Sequence, residues 1–154
     1  MPLNRDFIGR KFVAERPYEV GREKIRDFAT AIGDDNPAYH DPDAAKALGH
    51  PDVIAPPTFA ILVSMTASSR ALFDPELGLD YGLVVHGEQK FVHHRPIRPG
   101  DTLTATTHVE DIRDAGRNEI ITVATDLVSD AGEKVCTAFN VIVSRGTAAP
   151  ASSA

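Results

Sequence analysis

The sequence predicts an α+β fold in which a curved antiparallel sheet covers one long apolar helix. Helical periodicity is confined to the first half of the chain, whereas residues 83–143 alternate with a period of two. Residues 59–73, between these regions, follow a double proline and are apolar on nearly every side in their first turns, which is typical of a buried helix. We expect one domain over residues 1–145 and a disordered tail of Ala, Ser, Pro and Thr over residues 146–154.

Two shorter helices are predicted before the apolar one. Residues 22–32 place apolar side chains at helical spacing, and Gly33 follows where a C-terminal glycine is expected. A very short second helix is indicated by Asp41 as its N-cap, Pro42 at its first position and Gly49 as its stop. Residues 1–10 are interpreted as a lead-in to the domain.

The second half predicts an antiparallel meander of four strands joined by short turns. The strands lie near residues 83–92, 103–109, 121–127 and 135–143, and the turns near 96–101, 114–116 and 129–132. A broken extended segment at residues 11–20 adds a fifth strand. A five-stranded sheet around one helix leaves an unpaired edge, so we expect a dimer that continues the sheet across a two-fold axis.

Composition excludes several classes of protein. The 154 residues carry a net charge of −6 without a block of basic residues, so neither nucleic acid nor an anionic membrane is an expected partner. Residues 59–73 fall short of the ~20 apolar residues that a membrane span needs. The single Cys136 excludes an internal disulfide, and the N-terminus lacks the apolar stretch of a signal peptide. These features favour a reducing cytoplasm.

The loop over residues 32–42 concentrates polar chemistry between two helices. Its ionisable and amide side chains are Asp34, Asp35, Asn36, Tyr39 and His40. Gly33 and Pro37 make the connection rigid, and fixed loops often display the groups that transfer protons. The alternative is an Asp-Asn-Pro turn that merely caps the two helices.

No metal or cofactor is predicted. Cys136 has no close His, Cys or Asp partners of the zinc-finger type, and Pro99-Gly100 is interpreted as a hairpin turn, not a phosphate loop. No Ser or Cys occupies a nucleophile elbow. His93 and His94 are expected on opposite faces of their strand, one solvated and the other a polar plug near a pocket.

Three motifs in order resemble those of the MaoC-like hot-dog dehydratases and (R)-specific enoyl hydratases. The motifs are Gly33-Asp34-Asp35-Asn36-Pro37-Ala38-Tyr39-His40-Asp41-Pro42 with Ile54-Ala55-Pro56-Pro57-Thr58-Phe59, then His86-Gly87-Glu88-Gln89, then Arg95-Pro96-Ile97-Arg98-Pro99-Gly100-Asp101. The last two look like the N-terminal-type module of that superfamily. The resemblance spans roughly residues 5–145 and implies a hot-dog fold, with 3-hydroxyacyl thioesters of CoA or acyl carrier protein as substrates.

The resemblance also assigns the candidate catalytic residues. The family motif is Gly-Asp-x-Asn-Pro-apolar-His, in which Asp and His act together on the water that is added or eliminated. Asp34 and Asn36 match this motif, but Tyr39 occupies the histidine position and His40 comes one residue late. A phenol with a pKa near 10 is a poor base at neutral pH, whereas imidazole titrates near 6.5. Either the loop turns His40 into the site or the subunit has lost half of its pair, and we favour the second.

The resemblance then implies a subunit of a dehydratase, or of the reverse hydratase, that binds the acyl chain. It would form a homodimer, or a heterodimer with a catalytic hot-dog subunit. The candidate substrate-binding residues are Pro57, Thr58, Phe59, Ala60, His86 and Gly87. Because proline has no N–H, the N–H groups of Thr58 and Phe59 are the first that could polarise a thioester carbonyl. A hot-dog thioesterase and a non-catalytic acyl-CoA-binding protein remain as alternatives.

Overall fold

The computed structural model describes residues 1–150, so the last four residues of the predicted tail lie outside it. It confirms the α+β hot-dog fold, with a curved six-stranded sheet and one central helix. The helices are α1 (Arg22–Ala31), α2 (Pro42–Ala47) and α3 (Ala60–Leu72). The strands are β1 (Lys11–Val13), β2 (Tyr18–Glu19), β3 (Val84–His93), β4 (Thr102–Ala115), β5 (Asn118–Ser129) and β6 (Lys134–Ser144).

The ends of the two short helices follow the local sequence. Gly33 takes a left-handed backbone with a φ of 72°, which allows the chain to leave α1 sharply. Asp41 caps α2, because its carboxylate accepts the N–H of Asp43 at 2.9 Å, and Pro42 fills the first helical position. Both predicted helices are therefore confirmed.

The sheet order is β1-β4-β5-β6-β3, with β2 also paired to β4. The predicted meander is right for β4, β5 and β6 but wrong for β3, which pairs with β6. The connection from β3 to β4 therefore crosses the sheet instead of forming a hairpin. Its Ile97 carbonyl accepts the N–H of Ala55 at 2.7 Å, and its Gly100 donates to the Val20 carbonyl at 3.0 Å. These contacts tie the crossing to the segments before α1 and α3.

The core lies between α3 and the inner face of the sheet. The residues that share one face of β4 and β5 by alternation are all at most 2% exposed, namely Leu103, Ala105, Thr107, Val109, Ile121, Val123, Thr125 and Leu127. Helix α3 buries Val63 and Ala67 against them. Its opposite side is open, since Met65 is 62% exposed and Phe73, at its end, is 63% exposed. The predicted buried helix is therefore covered on the side that faces the sheet and open on the other side.

Both chain ends contribute more to the domain than the sequence indicates. Phe7 is fully buried, and the N–H of Leu3 donates to the buried Glu119 carboxylate at 2.9 Å, so the lead-in is part of the core. At the other end, Gly146 donates to the side chain of Asn118 at 3.0 Å, and Thr147 is only 5% exposed. The domain therefore extends past the predicted boundary at residue 145.

Strand β3 forms one edge of the sheet. Its register shifts between His86 and Glu88, which makes Gly87 the bulged residue. A Cβ atom at Gly87 would lie 3.3 Å from the Val141 carbonyl oxygen, so the close approach to β6 favours glycine there. Within residues 1–150, the outer edge of β3 has no strand beside it. No helix in this part of the chain is long and apolar enough to cross a membrane.

Candidate active site

The side chains of Asp34 and Asn36 organise the loop between α1 and α2. Asp34 Oδ1 accepts the N–H of Asn36 at 3.1 Å, and Asn36 Oδ1 accepts the N–H of Ala38 at 3.1 Å. The second bond caps a 3₁₀ turn over Pro37–Tyr39. Both side chains therefore perform the capping that the alternative interpretation of this loop expects.

The imidazole of His40 closes the same loop. Its Nε2 atom lies 3.1 Å from the backbone carbonyl oxygen of Asp34. Because a carbonyl oxygen only accepts, Nε2 carries the hydrogen in this contact. The Nε of Arg26 donates to the His40 carbonyl at 3.0 Å and fixes the backbone from the side of α1. Among residues 1–150, no hydrogen bond or ion pair joins the His40 ring to the Asp34 carboxylate.

Tyr39 occupies the inner side of the loop and is 8% exposed. Burial raises the pKa of its phenol above the ordinary value of 10.0, and the negative charge of Asp34 raises it further. The phenol therefore stays protonated at neutral pH, where it is a hydrogen-bond donor and not a base. Its oxygen makes no hydrogen bond to another residue within 1–150 and is not fully buried, so it is open to solvent.

Tyr39 and Pro57 line one cavity of about 340 Å³ before the N-terminus of α3. Its volume lies in the range of small-ligand pockets. The other lining residues are Ile54, Ala55, His93, His94, Arg95, Pro96 and Ile97. The structure thus brings together a candidate catalytic residue, a candidate substrate-binding residue and the third sequence motif.

A largely buried ion pair between Arg95 and Asp101 holds Arg95, which lines this cavity, in place. The guanidinium of Arg95 binds Asp101 through two hydrogen bonds of 2.8 Å, and its Nε binds Glu133 at 3.0 Å. The N–H of Arg98 also donates to Asp101 at 3.0 Å. Hydrogen bonding to Asp101 raises the pKa of Arg95, so the pair stays ionised. Bidentate pairing of this kind holds the 95–101 motif in one conformation.

His93 contacts the segment that leads into α3. Its Nε2 atom lies 2.7 Å from the carbonyl oxygen of Pro57, thirty-six residues away in the chain. Sequence reasoning placed one of His93 and His94 near a pocket, and both line the cavity. His93 was not among the predicted site residues. Its position at the end of a strand, next to the third motif, was the available signal.

Only one of the two N–H groups expected to be free at the start of α3, those of Thr58 and Phe59, is free of a backbone acceptor. Phe59 donates its N–H to the Pro56 carbonyl at 2.9 Å, so it is not available to a ligand and its prediction as a donor is wrong. The N–H groups of Thr58 and Ala60 have no acceptor within residues 1–150. The side chain of Phe59 is fully buried, with its ring centroid 5.5 Å from that of Phe28.

The remaining predicted residues lie away from this cavity. Ala60 is fully buried in the core and lines neither this cavity nor the second one described below. His86 and Gly87 lie near the start of β3, and at about 3.3 Å per residue they are roughly 20–23 Å along the strand from His93. They do not meet Tyr39 within one chain.

A second cavity of about 490 Å³ lies between α3, the segment joining β1 to β2, and the start of β4. Its floor is apolar, with Val63 and Ala67 from α3 and with Leu103 and Ala105 from β4. Arg70 at its rim donates to the Val13 carbonyl at 2.7 Å and ties the helix to β1. The predicted apolar helix thus does line a cavity, through residues after Ala60.

Residues 6–138 match the family model described as the FAS1-like dehydratase domain region. The chain belongs to this dehydratase family. The fold and motifs place it in the MaoC-like hot-dog superfamily. Relatives named UPF0336 protein are 55% identical in Saccharopolyspora erythraea, over 96% of this chain and 95% of the relative, and 52% identical in Streptomyces coelicolor, over 94% and 97%.

Solved structures of dehydratases share the fold. A MaoC-like dehydratase is 34% identical with a TM-score of 0.85, over 90% of this chain and 42% of that longer protein. The HadBC (3R-hydroxyacyl-ACP dehydratase) complex of Mycobacterium tuberculosis is 28% identical with a TM-score of 0.82, over 92% of this chain and 99% of the matched one. The match therefore spans less than half of the first of these proteins and nearly the whole of the matched chain of the second.

Proposed function

We propose that this chain is the acyl-chain-binding subunit of a (3R)-hydroxyacyl-thioester dehydratase, or of the reverse enoyl hydratase. The observation that carries this proposal is the position of the two candidate proton-transfer groups. Tyr39 stands where the family motif has histidine, and its phenol remains protonated. The ring of His40 is held by the backbone of Asp34. No imidazole in this loop is therefore placed to act with the Asp34 carboxylate.

The cavity before α3 is the proposed place of the thioester. The free N–H group of Thr58, next to the cavity-lining Pro57, lies just before the first turn of a 13-residue helix, where the helix dipole favours partial negative charge. A thioester carbonyl develops such charge when the neighbouring carbon loses or gains a proton. The apolar floor of the second cavity suits the aliphatic chain, because a site for hydrocarbon is dry and lined by aliphatic side chains.

The open edge of β3 is the proposed interface with a second hot-dog subunit. Two solved neighbours, the HadBC and ChsH1–ChsH2 complexes, are assemblies of two named subunits. The exposed Met65 and Phe73 on α3 offer apolar surface for a partner to cover. Antiparallel pairing of two β3 strands sets the start of one beside the end of the other. In a homodimer, His86 and Gly87 of one copy would then approach the Tyr39 cavity of its partner.

The proposal covers either acyl carrier, CoA or acyl carrier protein, and either direction of the reaction. A hot-dog dehydratase subunit from the same organism with an intact Asp-x-Asn-Pro-x-His motif is the expected partner. Light scattering should show a complex of the two chains, and calorimetry should show that the complex binds butyryl-CoA.

Three outcomes would contradict the proposal. A stable monomer at micromolar concentration that forms no complex would remove the interface. Release of free CoA thiol by this chain would favour the thioesterase. Binding of butyryl-CoA by the isolated chain, with no gain in hydration when the partner is added, would favour the non-catalytic acyl-CoA-binding protein.

A further inference from the structure

The two cavities along α3 are separate spaces. Pro57 lines the first cavity, of about 340 Å³, and Val63 lines the second, of about 490 Å³, but no residue lines both. Phe59, the N-cap residue of α3, lies between Pro57 and Val63 in the chain and lines neither cavity. A ligand that occupies both cavities must therefore pass the side chains that surround Phe59.

Three aromatic rings, those of Phe28, Phe59 and Tyr18, form a wall at this point, and we call them the aromatic wall. The ring centroid of Phe59 lies 5.5 Å from that of Phe28 and 6.4 Å from that of Tyr18, and both pairs meet edge to face. Phe59 belongs to one core cluster with Tyr39 of the first cavity and Val63 of the second. The aromatic wall is therefore packed between the linings of the two cavities.

Tyr18 is the ring of the aromatic wall that is held most loosely. Phe59 is fully buried, whereas Tyr18 is partly exposed and lines the second cavity. The Tyr18 hydroxyl makes no hydrogen bond to another residue within 1–150 and is open to solvent. Turning this ring away from Phe59 therefore breaks no hydrogen bond of the Tyr18 side chain.

The backbone that carries Tyr18 is also weakly paired. Strand β2 is only two residues long, and Tyr18 pairs with Leu103 of β4, while Val13 pairs with Thr106. Tyr18 comes five residues after Val13, but Leu103 and Thr106 are only three apart, so the segment between Val13 and Tyr18 bulges from the sheet edge. Pro17, within this bulge, has no N–H to donate to β4. The bulged segment lines the second cavity and gives Tyr18 room to move.

We propose that Tyr18 is a gate between the two cavities and that it makes binding depend on the length of the acyl chain. A short chain ends in the first cavity and leaves the Tyr18 ring in place. A longer chain displaces the ring, passes Phe59 and reaches the apolar floor of the second cavity. This inference rests on the proposed function and assigns its chain-length selection to a residue outside the three sequence motifs.

Calorimetric titration with butyryl-CoA and dodecanoyl-CoA tests the gate, using the full-length chain alone and with the proposed catalytic partner. Tyr18→Ala should raise the affinity for dodecanoyl-CoA about tenfold, because a gate that is open in about a tenth of the molecules lowers the apparent affinity by that factor. The affinity for butyryl-CoA should stay unchanged, because the short chain does not reach the ring.

Two control variants separate gating from damage to the sheet edge. Tyr18→Phe keeps the ring and removes a hydroxyl that has no partner in the protein, so it should bind both thioesters like wild type. Glu19→Ala changes the neighbouring exposed residue of β2, which lines neither cavity, and should also bind both like wild type.

A fluorescent reporter measures the movement of the gate directly. The chain contains no tryptophan, so Tyr18→Trp places a single indole in the aromatic wall. Saturating dodecanoyl-CoA should change the emission of this indole, because the long chain alters its surroundings. Saturating butyryl-CoA should leave the emission as it is and controls for the CoA group.

The results that would overturn the gate differ from those that would overturn the proposed function. A Tyr18→Ala variant that gains no affinity for dodecanoyl-CoA, or that changes both affinities equally, overturns the gate alone, and so does an indole that responds to neither or to both thioesters. Failure of wild type to bind either thioester, alone and with the partner, overturns the proposed function and the gate together.

Discussion

The Nε2 atom of His40 lies 3.1 Å from the backbone carbonyl oxygen of Asp34, while the carboxylate of Asp34 accepts the N–H of Asn36. The two residue types that act together in the family motif are thus both present but are used here to hold the loop. Tyr39, between them, faces the cavity with a protonated phenol. This arrangement is the physical basis of the binding role that we propose.

His40→Ala should lower stability and not chemistry. Loss of the contact with Asp34 should reduce the free energy of unfolding by about 1 kcal/mol, the usual net value of one hydrogen bond. Urea denaturation measures this change, and His86→Ala, an exposed histidine on β3, is the matched control. Unchanged stability together with a hundredfold loss of turnover in the assembled enzyme would show that His40 is catalytic after all.

Tyr39→His should give the isolated chain activity. Asp34 and Asn36 already match the family motif, so the missing imidazole is the main difference from an intact site. We expect hydration of crotonyl-CoA to rise by roughly 10²-fold, the scale of a gained general acid or base. Tyr39→Phe controls for loss of the phenol and should remain as slow as wild type. No gain in a folded Tyr39→His variant would mean that more than the imidazole is missing.

Ala60→Phe should destabilise the fold. Ala60 is fully buried at the first turn of α3, so the larger ring overpacks the contact between helix and core, at a cost of about 1–3 kcal/mol. Met65→Phe on the open side of the same helix should change stability little, because Met65 is 62% exposed. Thermal unfolding of both variants compares them, and equal midpoints would contradict the packing described for α3.

The ion pair between Arg22 and Asp52 should make stability depend on pH in the acid range. Its hydrogen bond from Arg22 lowers the pKa of Asp52 below the ordinary value of 3.8. The unfolded chain then binds more protons than the folded one in that window, so stability rises with pH. The contribution is complete above the unfolded pKa and is lost as the pH falls through the lowered folded pKa.

Arg22→Gln should therefore be less stable than wild type at pH 7, and the difference should shrink as the pH falls below the ordinary aspartate pKa. Urea denaturation above and below that pKa measures the difference, and Lys24→Gln on the same helix is the control. A difference that grows as the pH falls would contradict the assigned direction.

Local sequence was enough to predict the elements whose ends are set by short-range chemistry. Gly33 and Asp41 mark helix boundaries because a left-handed glycine and a capping carboxylate act on neighbouring residues. The alternation of apolar residues in β4 and β5 indicated which side chains share a face, because successive side chains of a strand point to opposite sides. In β6 the alternation groups Val135, Thr137, Phe139, Val141 and Val143 on one face, whereas Cys136, Ala138 and Ile142 on the other face are buried.

The long-range contacts could not be predicted in this way. Nothing local indicates that β3 pairs with β6, or that the lead-in reaches Glu119 across more than a hundred residues. The contact of His93 with Pro57 depends on the same pairing, because β3 carries the imidazole to the start of α3. The site was therefore predictable in the 34–40 loop and missed where two distant segments meet.

The most direct test of the binding role is hydration of crotonyl-CoA by this chain alone and in complex with the proposed catalytic partner. We expect the isolated chain to be nearly inactive, the complex to be at least a hundredfold faster, and the complex to tolerate His40→Ala with little loss. Robust turnover by the isolated wild-type chain, abolished by His40→Ala, would contradict the account.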